Sequence, residues 1–171
     1  AEGYLLTLIR KGFRVAIAEQ MEDPVEAKKR GYKAVVARDV VRLVTPGTLT
    51  EDTLLEARRS NWLCAWAEVR SEGALAWADV STGEFRVMAC PRGRLGPELA
   101  RLAPKEVLVS EANDVVLAGI VSESGASITP LARASFDSTG GVQRLSALFQ
   151  VGSLDAFGVF DRADQAAMGA V

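Results

Sequence analysis

The chain has 171 residues, 49% hydrophobic and 25% charged, with a formal net charge of -2, which suits a folded core and argues against a surface devoted to wrapping nucleic acid. It contains no histidine, which removes Ser-His-Asp and Cys-His catalysis and the commonest ligand of a catalytic zinc. No GxxxxGK[ST] or GxGxxG loop offers a nucleotide cradle, no apolar run approaches the roughly 20 residues that cross a bilayer, and Cys64 and Cys90 form no CxxC pair, so buried reduced thiols are expected.

Leu5, Leu8 and Ile9 stand at helical spacing, and Arg10-Lys11-Gly12 closes that helix with cations in the last turn and glycine at the left-handed position. Arg14 to Gln20 alternates as a strand does. Asp23-Pro24-Val25-Glu26 reads as an N-cap, a proline at the first helical position and an N3 glutamate, opening a short helix to Arg30 that Gly31 ends. Lys28, Lys29, Arg30 and Lys33 form the most basic patch of the chain. Such a patch can hold phosphate, or it can be an ordinary solvated helix face. Both termini look excised: no Met opens the chain, and Met168 to Val171 reads as the opening of another helix.

The β-branched run from Val40 ends at Pro46-Gly47, which predicts a strand that stops at the seam between two units. Thr48-Leu49-Thr50-Glu51 then reads as a capping box, leading into a helix with Leu54, Leu55 and Ala57 on its face. Trp62–Glu68, Ala74–Val80 and Glu84–Met88 predict an antiparallel meander with links at Ser71-Glu72-Gly73 and Ser81-Thr82-Gly83. Past a basic loop at Arg92 and Arg94 come a helix around Pro97–Leu102, a strand at Glu106–Val109 and a helix around Asn113–Ile120. A strand at Ser127–Leu131 and a helix at Val142–Phe149 follow, the latter with Leu145, Leu148 and Phe149 inward. The fold class expected is α/β, a mixed sheet covered by helices and preceded by a small α/β segment.

Three separated blocks, Gly12 to Pro24, Val40 to Thr48 and Leu54 to Asn61, closely resemble the MutS family of DNA mismatch-repair proteins. The resemblance implies that residues 1–40 are the C-terminal part of a mismatch-binding domain. Residues 41–163 would be a connector domain of ribonuclease-H-like fold, and 164–171 the start of a helical core. It further implies that the aromatic wedge that kinks DNA lies before Ala1 and the ATPase beyond Val171. This fragment would then carry no cofactor and no catalytic group, while ATP and magnesium belong to the full-length parent, a cytoplasmic bacterial homodimer acting on mismatched DNA. By the same resemblance, Gln143 and Arg144 lie on the exposed helix that contributes to docking MutL, although an ordinary polar helix face is the plainer reading.

Two further patterns admit two readings. Ala78-Asp79-Val80-Ser81-Thr82-Gly83 resembles a strand-end magnesium site, with Glu84 as its near companion, which would make the chain a ribonuclease-H-like nuclease. Two-metal chemistry needs several converging acids, and no second acidic motif follows, so hydrogen bonds from the turn to Asp79 are the favoured reading. Trp62, Trp66 and Trp77 could stack bases, but Trp62 and Trp66 share parity on one strand and are expected in the core. An adaptor unrelated to repair remains a third alternative.

Overall fold

A computed structural model describes all residues except 1, 32–33, 51–54, 57–58 and 113–114. It divides into two compact units, residues 1–46 and 47–171. In the first, helix α1 (Glu2–Arg10), strand β1 (Val15–Gln20), helix α2 (Pro24–Lys29) and strand β2 (Arg38–Val44) follow one another. Gly12 takes φ 79°, the left-handed value the sequence reserved for it. Asp23 caps α2 by accepting the Val25 N–H at 2.8 Å. β1 and β2 pair antiparallel, Val15 opposite Val44, with an irregularity between Ile17 and Ala18.

The second unit holds strands β3 (Leu63–Val69), β4 (Glu72–Asp79), β5 (Glu84–Ala89), β6 (Glu106–Ser110) and β7 (Ser127–Leu131). They form one five-stranded sheet in the order β5-β4-β3-β6-β7. β3, β4 and β5 are the expected antiparallel meander, while β6 and β7 run parallel to β3. Helices α3 (Arg92–Leu102) and α4 (Val115–Glu123) belong to one face, and α5 (Ser138–Phe149) and α6 (Arg162–Ala170) to the other.

Side-chain alternation gives the two faces different cores. Cys64, Trp66, Leu75 and Trp77 meet Leu95 and Leu99 of α3 and Leu117 and Val121 of α4. Trp62 packs against the same cluster, so the tryptophans are core residues. The opposite face is lined by Ala65, Ala67, Ala74 and Ala76, all buried, and α6 lays Ala163, Ala166, Ala167 and Ala170 toward it. Alanine on alanine lets helix and sheet approach closely. Both cysteines are free and buried. Burial pushes the Cys64 thiol to about 12 and Cys90 to about 11, with Glu98 adding to the second shift.

Several elements depart from the sequence expectation. Leu55, Glu56, Arg59 and Ser60 lie in bends and irregular backbone rather than a helix; Glu51, Leu54, Ala57 and Arg58 lie outside the described residues. Nearby, Leu49 is buried and Glu56 pairs with Lys105 at 2.8 Å. The first hairpin turns at Arg70-Ser71, whose φ values of 51° and 71° make a two-residue turn matched to strand twist. Gly73 instead sits inside β4, where a Cβ would stand 2.4 Å from the Cys90 carbonyl oxygen. The expected basic loop at Arg92 and Arg94 is the first turn of α3, and Pro97 lies within that helix.

α5 begins earlier than expected, with Asp137 accepting the Gly140 N–H at 2.6 Å. Leu145 is buried as expected, but Leu148 is 70% exposed and Phe149 40%. α6 starts at Arg162, well before the expected opening near Met168, with a capping box between Asp161 and Asp164. Among the described residues no helix is long and apolar enough to cross a membrane.

Candidate docking surface

Gln143 and Arg144 both lie exposed on α5, but they do different things. The exposed Arg144 side chain donates from Nε to the Gly169 carbonyl at 3.0 Å and from Nη2 to the Ser135 carbonyl at 2.7 Å. It therefore ties α5 to the last turn of α6 and to the 3-10 turn Arg133–Phe136, placing a cation where helix-end carbonyls favour one. The two helices touch backbone to backbone at this level. A Cβ on Gly169 would stand 2.3 Å from the Gly141 Cα, and one on Gly141 2.4 Å from the Gln165 carbonyl oxygen. Gln143 is thus presented by a helix whose position is fixed from behind.

Further along α5, Phe149 opens onto an aromatic cleft that sequence spacing did not reveal. Its ring lies 6.5 Å from Phe85 of β5 and 5.2 Å from Phe157, both tilted. The cleft has a volume of about 750 Å³ and includes Leu145, Leu154 and Phe160 in its walls. Phe157 is 56% exposed. The available signal was the run of phenylalanines at 149, 157 and 160, but only the placement of the loop against β5 makes them a surface.

The strand-end acids are engaged by the protein itself. Asp79, 2% exposed, accepts the Asn61 N–H at 2.9 Å, the Ser81 N–H at 3.0 Å and the Ser81 hydroxyl at 2.6 Å. Burial works to raise its carboxyl, but the Ser81 hydroxyl and the backbone donors of Asn61, Ser81 and Thr82 outweigh it and hold the group below the usual carboxylate value. Glu84 stands opposite Asp79 in the β4–β5 ladder and pairs with Arg86 at 2.6 Å. No group of three or more metal-ligating acids, cysteines or histidines converges among the described residues.

Glu106 is a buried carboxylate whose neighbours the sequence did not disclose. It is 1% exposed, accepts the Gly47 N–H at 2.9 Å and the Thr129 hydroxyl at 2.5 Å, and so anchors the start of the second unit to β6 and β7. A Cβ on Gly47 would stand 2.8 Å from Leu63, which is why glycine occupies that position.

In the first unit the basic patch is partly neutralised. Lys29 pairs with Glu26 and Arg30 with Glu22, while Lys28 is exposed and Lys33 lies outside the described residues. Gln143 and Arg144 belong to the other unit.

Comparison with known proteins finds two family models along the chain: MutS domain I over residues 1–53 and MutS domain II over residues 61–171. The DNA mismatch repair protein MutS of Cereibacter sphaeroides is 68% identical over the whole chain, which covers 19% of that protein. MutS of Paracoccus denitrificans is 67% identical with the same coverage, and that of Roseobacter denitrificans 61% identical, with 20% covered. The chain thus spans about a fifth of the length of the curated relatives it matches.

Proposed function

Since the chain belongs to the MutS family of DNA mismatch-repair proteins and carries its domains I and II, we propose that its second unit is a connector that presents a docking face to MutL. The observation that carries this reading is the exposed Gln143 on α5, a helix locked onto α6 by Arg144 and the Gly141–Gly169 contact. A docking residue on a rigid helix loses little conformational freedom when a partner binds. The strand order, with a three-stranded meander beside two parallel strands, supports a ribonuclease-H-like fold for this unit.

In the full-length parent the unit would join the mismatch-reading domain to the helical core and pass nucleotide state between them as a shift in populations. Mismatched DNA, ATP with magnesium, a homodimer and the bacterial cytoplasm belong to that parent in this reading. ATP and magnesium do not fit this chain's own residues: it has no phosphate loop, and Asp79 and Glu84 already hold protein donors. The nuclease alternative therefore has no observation in its favour. The chain itself is read as a positioning element and not an enzyme.

The test is a titration of the chain with the N-terminal portion of MutL at moderate salt. Gln143→Ala is expected to weaken binding about tenfold, equivalent to ~1.4 kcal/mol. Unchanged affinity in Gln143→Ala would remove α5 from the interface and overturn the docking assignment.

A further inference from the structure

The two edges of the sheet differ. β7 carries Pro130, which has no amide to offer a further strand, whereas β5 has no proline along its length. The Cys90 N–H donates to the Gly73 carbonyl at 2.7 Å, just past the end of the β4–β5 ladder. In an antiparallel ladder, bonded pairs recur at every second residue. Glu84, Arg86 and Met88 therefore direct their backbone groups into β4, while Phe85, Val87 and Ala89 turn theirs to the outside.

Side chains at that edge sort by face in the same period. Phe85 and Val87 pack toward the α5–α6 cluster, next to Phe149 and Phe157. Arg86 points to the other face, where the Arg101 guanidinium lies 5.9 Å from the Trp77 ring. The cleft of about 750 Å³ has lining residues from both faces, Leu145 and Met168 from one and Trp77 and Arg101 from the other, so it wraps round the β5 edge. Among the described residues its charged lining is Arg86 and Arg101, with no acid. Both arginines have acidic neighbours in Glu84 and Glu98, yet their side chains remain 64% and 56% exposed.

The geometry points to a strand-addition site on β5 for an extended peptide in which apolar side chains alternate with acidic ones. The backbone of the peptide pairs with Phe85, Val87 and Ala89. Its apolar side chains seat against Phe149 and Phe157, and its carboxylates, projecting to the opposite face, meet Arg86 and Arg101. Main-chain hydrogen bonds supply affinity and the alternating faces supply selection. This site is separate from the MutL reading of Gln143 and does not depend on it.

The probe is a fluorescently labelled synthetic peptide alternating phenylalanine or valine with glutamate, titrated into the chain by anisotropy. Saturable binding is expected, with amide exchange slowed at Phe85 and Val87. Phe157→Ala, an exposed position whose loss leaves the core intact, should weaken binding about tenfold. A peptide N-methylated at alternate amides should lose binding. Equal binding of the N-methylated peptide, or no effect of Phe157→Ala, overturns strand addition. Displacement of the peptide by oligothymidylate at lower concentration assigns the cleft to single-stranded nucleic acid instead. Self-association of the chain that Val87→Pro abolishes and the peptide does not compete would make a second copy the occupant, and either result overturns the proposal.

Discussion

Burial by itself raises a carboxyl pKa, and at Asp79 the hydrogen bonds from Ser81, Asn61 and Thr82 outweigh it and lower the pKa. A folded-state pKa below the unfolded value contributes stability that is present above the ordinary range near about 4 and is lost as pH falls through the folded value. Asp79→Asn is expected to cost about 1–3 kcal/mol at neutral pH and to flatten the acid limb of the stability profile. Urea unfolding near neutrality and in acid, compared with the parent chain, reads both effects; an unchanged acid limb would mean that other carboxylates carry it. Arg144 makes a similar point for a cation. Its partners Gly169 and Ser135 are distant in sequence, so a residue read as solvent-facing acts first as a brace between helices.

At the scale of elements, glycine decides which helices can touch. Gly141 and Gly169 allow α5 and α6 to meet at backbone distance, and α6 in turn reaches a sheet face paved with alanine. Gly169→Ala is expected to destabilise the chain by about 1–3 kcal/mol through forced separation of the helices. Gly119 in α4 has nothing within 4 Å of an added Cβ, so Gly119→Ala should stabilise by up to about 1 kcal/mol through helix propensity. Thermal or urea unfolding of the two variants should move in opposite directions; movement in the same direction would refute the close-contact account. The Arg70-Ser71 hairpin follows from similar physics. The strand twist imposes two positive φ values even though neither residue is glycine, and the glycine nearby is used for close approach to Cys90.

Across the whole molecule, apolar burial is distributed unequally between the two units. The second contains both extended core clusters. Among the described residues of the first, Ile9, Ala27 and Val44 are the buried hydrophobics, while Tyr4, Phe13, Val40 and Leu43 are exposed, and its sheet has two strands. Two-stranded sheets with little core are marginal in water. Residues 1–46 are therefore expected to exchange amides faster than the sheet of the second unit and to unfold at lower denaturant. Hydrogen exchange followed along the chain checks this, and uniform protection of both units would contradict it.

The local chemistry of the chain was sufficient for much of the second unit. The alternation in Trp62–Glu68, Ala74–Val80 and Glu84–Met88 located the meander, whose strands run Leu63–Val69, Glu72–Asp79 and Glu84–Ala89, and Ser127–Leu131 was bounded as it occurs. The turn donors beside Asp79 and the core role of the tryptophans were legible because both depend on near neighbours and strand parity. What lies between distant residues was not. The brace at Arg144, the buried Glu106 beneath Gly47, the alanine seat of α6 and the aromatic cleft on β5 each join segments far apart in sequence. The exposure of Leu148 has the same origin. Periodicity reports which face of an element is apolar, whereas tertiary packing alone determines what that face meets and which of its residues stay in water.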